Sequence, residues 1–77
     1  CSINITENIL SIKYVNNLNI EKHRIEIFNL RGEKVISRYE SINNNTIDIS
    51  KLILGTYLLQ IYHGEKIFYS SKFIIQR

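Results

Sequence analysis

Apolar and polar residues alternate along most of this chain with a period of two, the mark of strands that bury one face. Ile47-Asp48-Ile49 shows it, and Tyr57, Leu59 and Ile61 resume it after a short interruption. From Ile9 to Val15, Leu10, Ile12 and Tyr14 fall on one face and Ser11 and Lys13 on the other. In Ile25 to Phe28 the isoleucines face inward and Glu26 outward, and in Glu33 to Tyr39 Val35, Ser37 and Tyr39 oppose Lys34, Ile36 and Arg38. Gly55 to Tyr62 and Lys66 to Ile75 complete the set, and in the last strand Ile67, Tyr69, Phe73 and Ile75 share a face with Ser71. Residues 1 to 6 alternate weakly and suit an edge strand or an extended lead-in, which Glu7-Asn8 ends. No stretch has a 3.6-residue apolar period behind a capping residue, so Lys51 to Leu54 makes one helical turn at most.

The breaks between strands carry turn chemistry. Asn29-Leu30-Arg31-Gly32 has asparagine first and glycine fourth, which predicts a type I turn followed by a left-handed glycine closing a hairpin. His63-Gly64 predicts a second hairpin, and Gly55 stands where the chain must reverse after the Ile47–Ile49 strand. Asn16-Asn17-Leu18-Asn19 and Glu40 to Asn45 read as polar connections. Six or seven short strands with turns every eight to twelve residues predict an all-β fold, an antiparallel β-sandwich or small barrel. At 77 residues there is room for one domain with a modest core.

Charge and composition narrow the chemistry. The formal net charge of +3 is small and its lysines and arginines are scattered singly, which argues against a nucleic-acid partner. No apolar run approaches the roughly 20 residues of a transmembrane helix, and the first residues lack the charged and apolar regions of a secretory signal peptide. Any leader is therefore expected on a longer precursor. Cys1 is the one cysteine, so no internal disulfide forms; it reads as a boundary residue before it reads as a lipid-bearing one.

No enzyme is expected. The acidic residues fall in turns or on outward strand positions, and Asp48, flanked by two isoleucines, is outward by alternation. His23 and His63 are far apart with no third ligand at metal spacing, and both read as surface residues. No serine sits in a nucleophile elbow, and the three glycines stand singly at turns, not in a phosphate loop. No cofactor is implied. Of the aromatics, Tyr14, Tyr39, Tyr57 and Tyr69 run in phase with the apolar face, whereas Tyr62 and Phe68 flank the His63-Gly64 turn as an exposed or cross-strand pair.

Three stretches in series resemble one family. Ile25 through Asn29 and Gly32 to Val35 is similar to its I-x-I-Y/F-N-x-x-G-x-x-V hairpin. Ile47-Asp48-Ile49-Ser50-Lys51-Leu52, with Gly55, Tyr57, Leu59 and Ile61, is similar to its I-D-V/I-S-x-L-x-x-G-x-Y-x-L/V-x-I corner. Lys72-Phe73-Ile74-Ile75 before the basic Arg77 resembles its last strand. The family is the type A C-terminal sorting domain of the bacterial type IX secretion system. Ser2 to Ile12 resembles its Y-P-N-P-T/A-x-D/N-x-L-x-I lead-in, but Ile3 and Ile5 replace both prolines and Ile53 replaces a third before Gly55. Loss of proline restores backbone donors and so lets residues 3 to 5 join a sheet.

The resemblance implies a small antiparallel immunoglobulin-like β-sandwich spanning residues 1–77 as a single C-terminal sorting domain, non-catalytic, that carries an upstream cargo. It implies recognition by an outer-membrane translocon, removal by a sortase-like peptidase, and delivery through the periplasm of a Gram-negative bacterium to the cell surface or the medium. Lys72, Phe73 and Arg77 become the expected recognition residues, and Asn29, Gly32, Val35, Asp48, Leu52, Gly55, Tyr57 and Ile61 the residues that hold the shape. Competing classes are an extracellular module that binds glycan or protein through Tyr62 and Phe68, and a structural spacer.

Overall fold

The computed structural model describes residues 2–13, 22–41 and 46–76. Cys1, Tyr14, the 16–19 loop, the Asn43–Asn45 run and Arg77 lie outside them. Seven strands occur among the described residues: β1 (Ser2–Thr6), β2 (Ile9–Lys13), β3 (Lys22–Phe28), β4 (Lys34–Ser41), β5 (Thr46–Asp48), β6 (Gly55–His63) and β7 (Lys66–Ile75). All pair antiparallel, in one sheet of order β1-β2-β5 and another of order β4-β3-β6-β7. The chain is the small all-β sandwich that its alternation predicts.

The core lies between the sheets. Leu10, Ile12, Ile47 and Ile49 come from the first sheet and its end; Ile25, Ile27, Tyr57, Leu59, Ile61, Phe73 and Ile75 come from the second. Ile3, Ile5, Ile36, Leu52 and Tyr69 pack partly buried against this cluster. Each fully buried Leu or Ile contributes about 1.5–3 kcal/mol by leaving water. β1 reaches the core through Ile3 and Ile5, and it pairs with β2 from Ser2↔Lys13 to Thr6↔Ile9. The backbone there has ladder donors because isoleucine, not proline, occupies both positions.

Register places the turns. Ile9 pairs with Asp48, Phe28 with Leu58, and Gly55 with Ile75. The Glu7-Asn8 turn, the Asn29–Glu33 turn, the segment from Ile49 to Leu54 and the end of β7 therefore gather at one pole of the sandwich. Ser2 lies at the far end of its sheet. The Ile49 amide donates to the Asn8 carbonyl at 2.8 Å, which ties the β1–β2 turn to this pole.

Four side chains differ in face or burial from what their residue types predict. Ile67 is half exposed rather than facing inward with Tyr69, because a bulge lets Tyr62 pair with Ile67 directly after Ile61 pairs with Tyr69. An extra residue reverses the parity of every position beyond it. Tyr39 is exposed because it shares a face with Ser37, while Ile36 carries the inward face of β4. Glu26 does point away from the core but is buried there, only 6% exposed, under the side chains of its neighbours. His23, expected at the surface, is fully buried on the inward face of β3. Burial and the nearby His63 charge both hold its pKa below the ordinary histidine value.

Candidate functional site

The β3–β4 turn is built around Asn29. Its Oδ1 accepts from the amides of Arg31 at 2.9 Å and Glu33 at 3.0 Å, and its Nδ2 donates to Glu33 Oε1 at 2.9 Å. The Gly32 amide donates to the Asn29 carbonyl at 3.0 Å, and Gly32 has φ +84°. This is the type I turn with a left-handed glycine that the residue types predict. A bulge follows, since Ile36 pairs with Ile27 and Lys34 with Phe28, so that Val35 is left out of the register and turned outward.

The corner from Ile47 to Tyr57 explains its own spelling. Ile47 and Ile49 are buried, and Asp48 between them is exposed. Asp48 Oδ1 accepts from the Ser50 amide at 2.9 Å, an Asx turn that bends the chain away from β5. Those hydrogen bonds hold the Asp48 carboxyl below its ordinary pKa, with smaller help from Lys51 and Arg38. The Leu52 amide then closes onto the Ile49 carbonyl at 3.1 Å, and Leu52 packs on the core. Gly55 opens β6 with φ +146°, which side-chain-bearing residues rarely adopt. Tyr57 is buried, stacks on Phe73 at 5.6 Å with the planes 22° apart, and donates its hydroxyl to the Ile53 carbonyl at 2.7 Å.

The remaining expected residues separate by face. Lys72 is exposed on the outer side of β7, and Ile74 beside it is 57% exposed. Phe73 points inward and is only 6% exposed, so the folded sheet keeps its ring from any outside partner. Ile61 is a core residue. Lys72 and Phe73 are thus neighbours in sequence on opposite faces.

On the outer face of the larger sheet, Glu26 Oε2 lies 2.9 Å from Lys34 Nζ and 3.3 Å from Arg24 Nε. The Arg24 guanidinium covers the Tyr62 ring at 4.2 Å, and the Tyr62 hydroxyl donates to Gln60 at 2.8 Å. One face of Tyr62 is therefore already taken by a cation.

Sequence reasoning missed a cleft of about 510 Å³ between the Asn29–Glu33 turn and the corner. Leu30, Val35, Ile53 and Leu54 line it together with Arg31 and Lys51. Its signal was legible: Leu30, Ile53 and Leu54 are bulky apolar residues at turn positions, where Gly, Pro, Asn, Asp and Ser normally dominate. Among the described residues, no group of three His, Cys, Asp or Glu is placed to hold a metal ion. No helix there is long and apolar enough to cross a membrane.

Two antiparallel sheets joined through a corner tyrosine, bonded back to the backbone four residues upstream, define an immunoglobulin-like β-module. The model of one family, the secretion system C-terminal sorting domain, matches residues 4–76. The chain belongs to that family, which serves as the C-terminal sorting signal of type IX secretion. Export to the cell surface or the extracellular space goes with that role, and the family is generally non-catalytic. No curated protein matches the chain.

Proposed function

We propose that residues 1–77 act as one non-catalytic address that carries an attached upstream cargo through the type IX system across the outer membrane of a Gram-negative bacterium. A translocon reads the folded module, and a sortase-like peptidase then removes it near its N-terminal side. The observation that carries this reading is the family match over residues 4–76. The hairpin and corner support it, because the residues of both motifs are accounted for by the local geometry of a rigid sandwich.

In this reading the outer face and free edge of β7 are what the translocon touches. Among the described residues β7 is paired with β6 on one side only, so its other edge can accept a strand. Lys72 offers an exposed cation there, and the basic Arg77, which lies outside the described residues, is the second cation assigned to recognition. Phe73 contributes from inside, by stacking on Tyr57 and fixing the strand that carries Lys72. Asn29, Gly32, Val35, Asp48, Leu52, Gly55, Tyr57 and Ile61 shape the turns and core around it.

The test fuses residues 1–77 behind a reporter with an N-terminal signal peptide, in a host with the type IX system. The intact fusion is expected at the cell surface or in the medium, trimmed of the domain. Deleting residues 72–77, or replacing Lys72 by Glu, is expected to leave the reporter in the periplasm. Unchanged export after the deletion would refute the role given to β7. Periplasmic retention of the intact fusion would refute the sorting role itself.

A further inference from the structure

We infer that the cleft between the Asn29–Glu33 turn and the Ile49–Tyr57 corner is a second docking site. Its occupant is an extended protein segment with apolar side chains and carboxylates. The assignment of that segment to the export machinery rests on the sorting function proposed above. Its chemistry rests on the cleft alone.

Exposed apolar side chains are concentrated there. Leu30 is 79% exposed, Ile53 78%, and Leu54 and Val35 join them around the same hollow. None of the four belongs to the buried core cluster. Val35 is the unpaired residue of a β-bulge and is exposed beside the inward Ile36. Leu30 occupies the second position of a tight turn that needs no apolar residue. Single exposed apolar residues are unremarkable, but several around one concavity mark an interaction surface.

The walls are preformed. One is fixed by the three side-chain bonds of Asn29, and the other by the Asx turn at Asp48 and the Tyr57 hydroxyl on the Ile53 carbonyl. A rigid site loses little conformational entropy on binding. A hollow of about 510 Å³ takes a few side chains of an extended segment, not a flat surface.

Charge selects the partner. Two cations, Arg31 and Lys51, line the cleft against the single carboxylate of Glu33. The lining therefore carries a net charge of +1, the difference of these two cations and one anion, which favours a partner bearing Asp or Glu over one bearing Lys. A membrane surface would also welcome apolar and basic residues, but the concave shape argues for a protein segment. The cleft sits at the pole where β7 ends, with no residue of β7 among its lining.

The binding test uses the 77-residue chain, isotopically labelled, titrated with an acetylated and amidated V-D-V-D-V peptide and with its V-K-V-K-V counterpart. Saturable shifts confined to residues 29–35 and 51–57 are expected with the acidic peptide. The lysine peptide is expected to bind at least tenfold more weakly, and Arg31→Glu with Lys51→Glu to reverse the preference. No saturable shift, equal response to both peptides, or stronger binding to anionic phosphatidylglycerol vesicles would overturn the proposal. Concentration-dependent shifts at the same residues without peptide would mean a contact between copies of the chain, and would overturn it too.

A second arm tests the export role with Leu30→Ser and Leu54→Ser together; both side chains are exposed, so the thermal melt is expected to match that of the unaltered chain. If the unaltered fusion is exported, the double variant is expected to lower surface delivery at least threefold. Export equal to wild type would remove the link to the machinery. Failure of the unaltered fusion to be exported would instead count against the sorting reading, leaving the peptide titration to decide the cleft.

Discussion

Tyr57→Phe isolates one hydrogen bond. The substitution keeps the ring, its burial and its stack on Phe73, and deletes only the hydroxyl that donates to the Ile53 carbonyl at 2.7 Å. A neutral bond of this kind contributes about 1–1.5 kcal/mol net. For a domain of this size each kcal/mol moves Tm by about 4–8 °C, so Tyr57→Phe should lower it by about 4–12 °C. Tyr57→Ala adds the loss of the ring, about 3–5 kcal/mol for a buried aromatic, and about 0.5–1.5 kcal/mol for the aromatic pair. Since a domain of 77 residues is stable by about 4–12 kcal/mol in all, the alanine variant should lose a large share of its stability and melt well below Tyr57→Phe. The assay is urea denaturation followed by circular dichroism, with thermal melts alongside. An unchanged m-value with a lower midpoint in Tyr57→Phe would place the effect in the folded corner. A Tm within about 1 °C of wild type would refute the claim that this bond fastens the corner.

Other expectations follow from the turns and the buried charges. Gly32→Ala should cost about 1–2 kcal/mol by thermal melt, because φ is +84° and strain, not space, opposes the methyl group; Gly32→Asn should cost less. Glu26→Gln should cost about 1 kcal/mol, less in high salt, since Lys34 and Arg24 are open enough to water to be screened. Stability should fall in two steps as pH is lowered, read by Tm in a series of buffers. His23 has its folded pKa below the unfolded value of about 6.5, so the unfolded chain binds the extra proton and stability declines from about pH 6.5 downward. Asp48, whose folded pKa is also depressed, adds a second decline once pH falls below about 4. A Tm independent of pH between 7 and 5 would contradict the placement of His23.

The parts of the fold that could be read from the sequence were those where a backbone requirement dictates the residue. Asn29 and Gly32 are legible because a type I turn needs an acceptor at its start and a left-handed residue at its end. Asp48, Gly55 and Tyr57 are legible as a spacing, although the bond from Tyr57 to Ile53 appears only in three dimensions. Alternation, in contrast, reports parity and not which face is covered. It could not choose between Ile36 and Tyr39 as the inward side of β4, and it failed at Ile67 because a bulge is one residue with no spelling of its own. Glu26 is buried under Arg24 and Lys34, and the cation from the next strand is invisible to local pattern. His23 continues the inward parity of Ile25 and Ile27, and the polar run around it masks that parity.

The register of the two terminal strands has a mechanical consequence. β1 begins at the end of its sheet away from the corner, while β7 finishes at the corner. A load applied at the first residue and a pull applied at the last would therefore act along the strand axes in opposite directions. Both terminal strands would be sheared, so that their ladders resist together instead of opening one bond at a time. β1 is held through five residue pairs and β7 through nine, so β1 should slip first. Under tension the first event would be the peeling of residues 2–6 from β2, with β6 and β7 still joined.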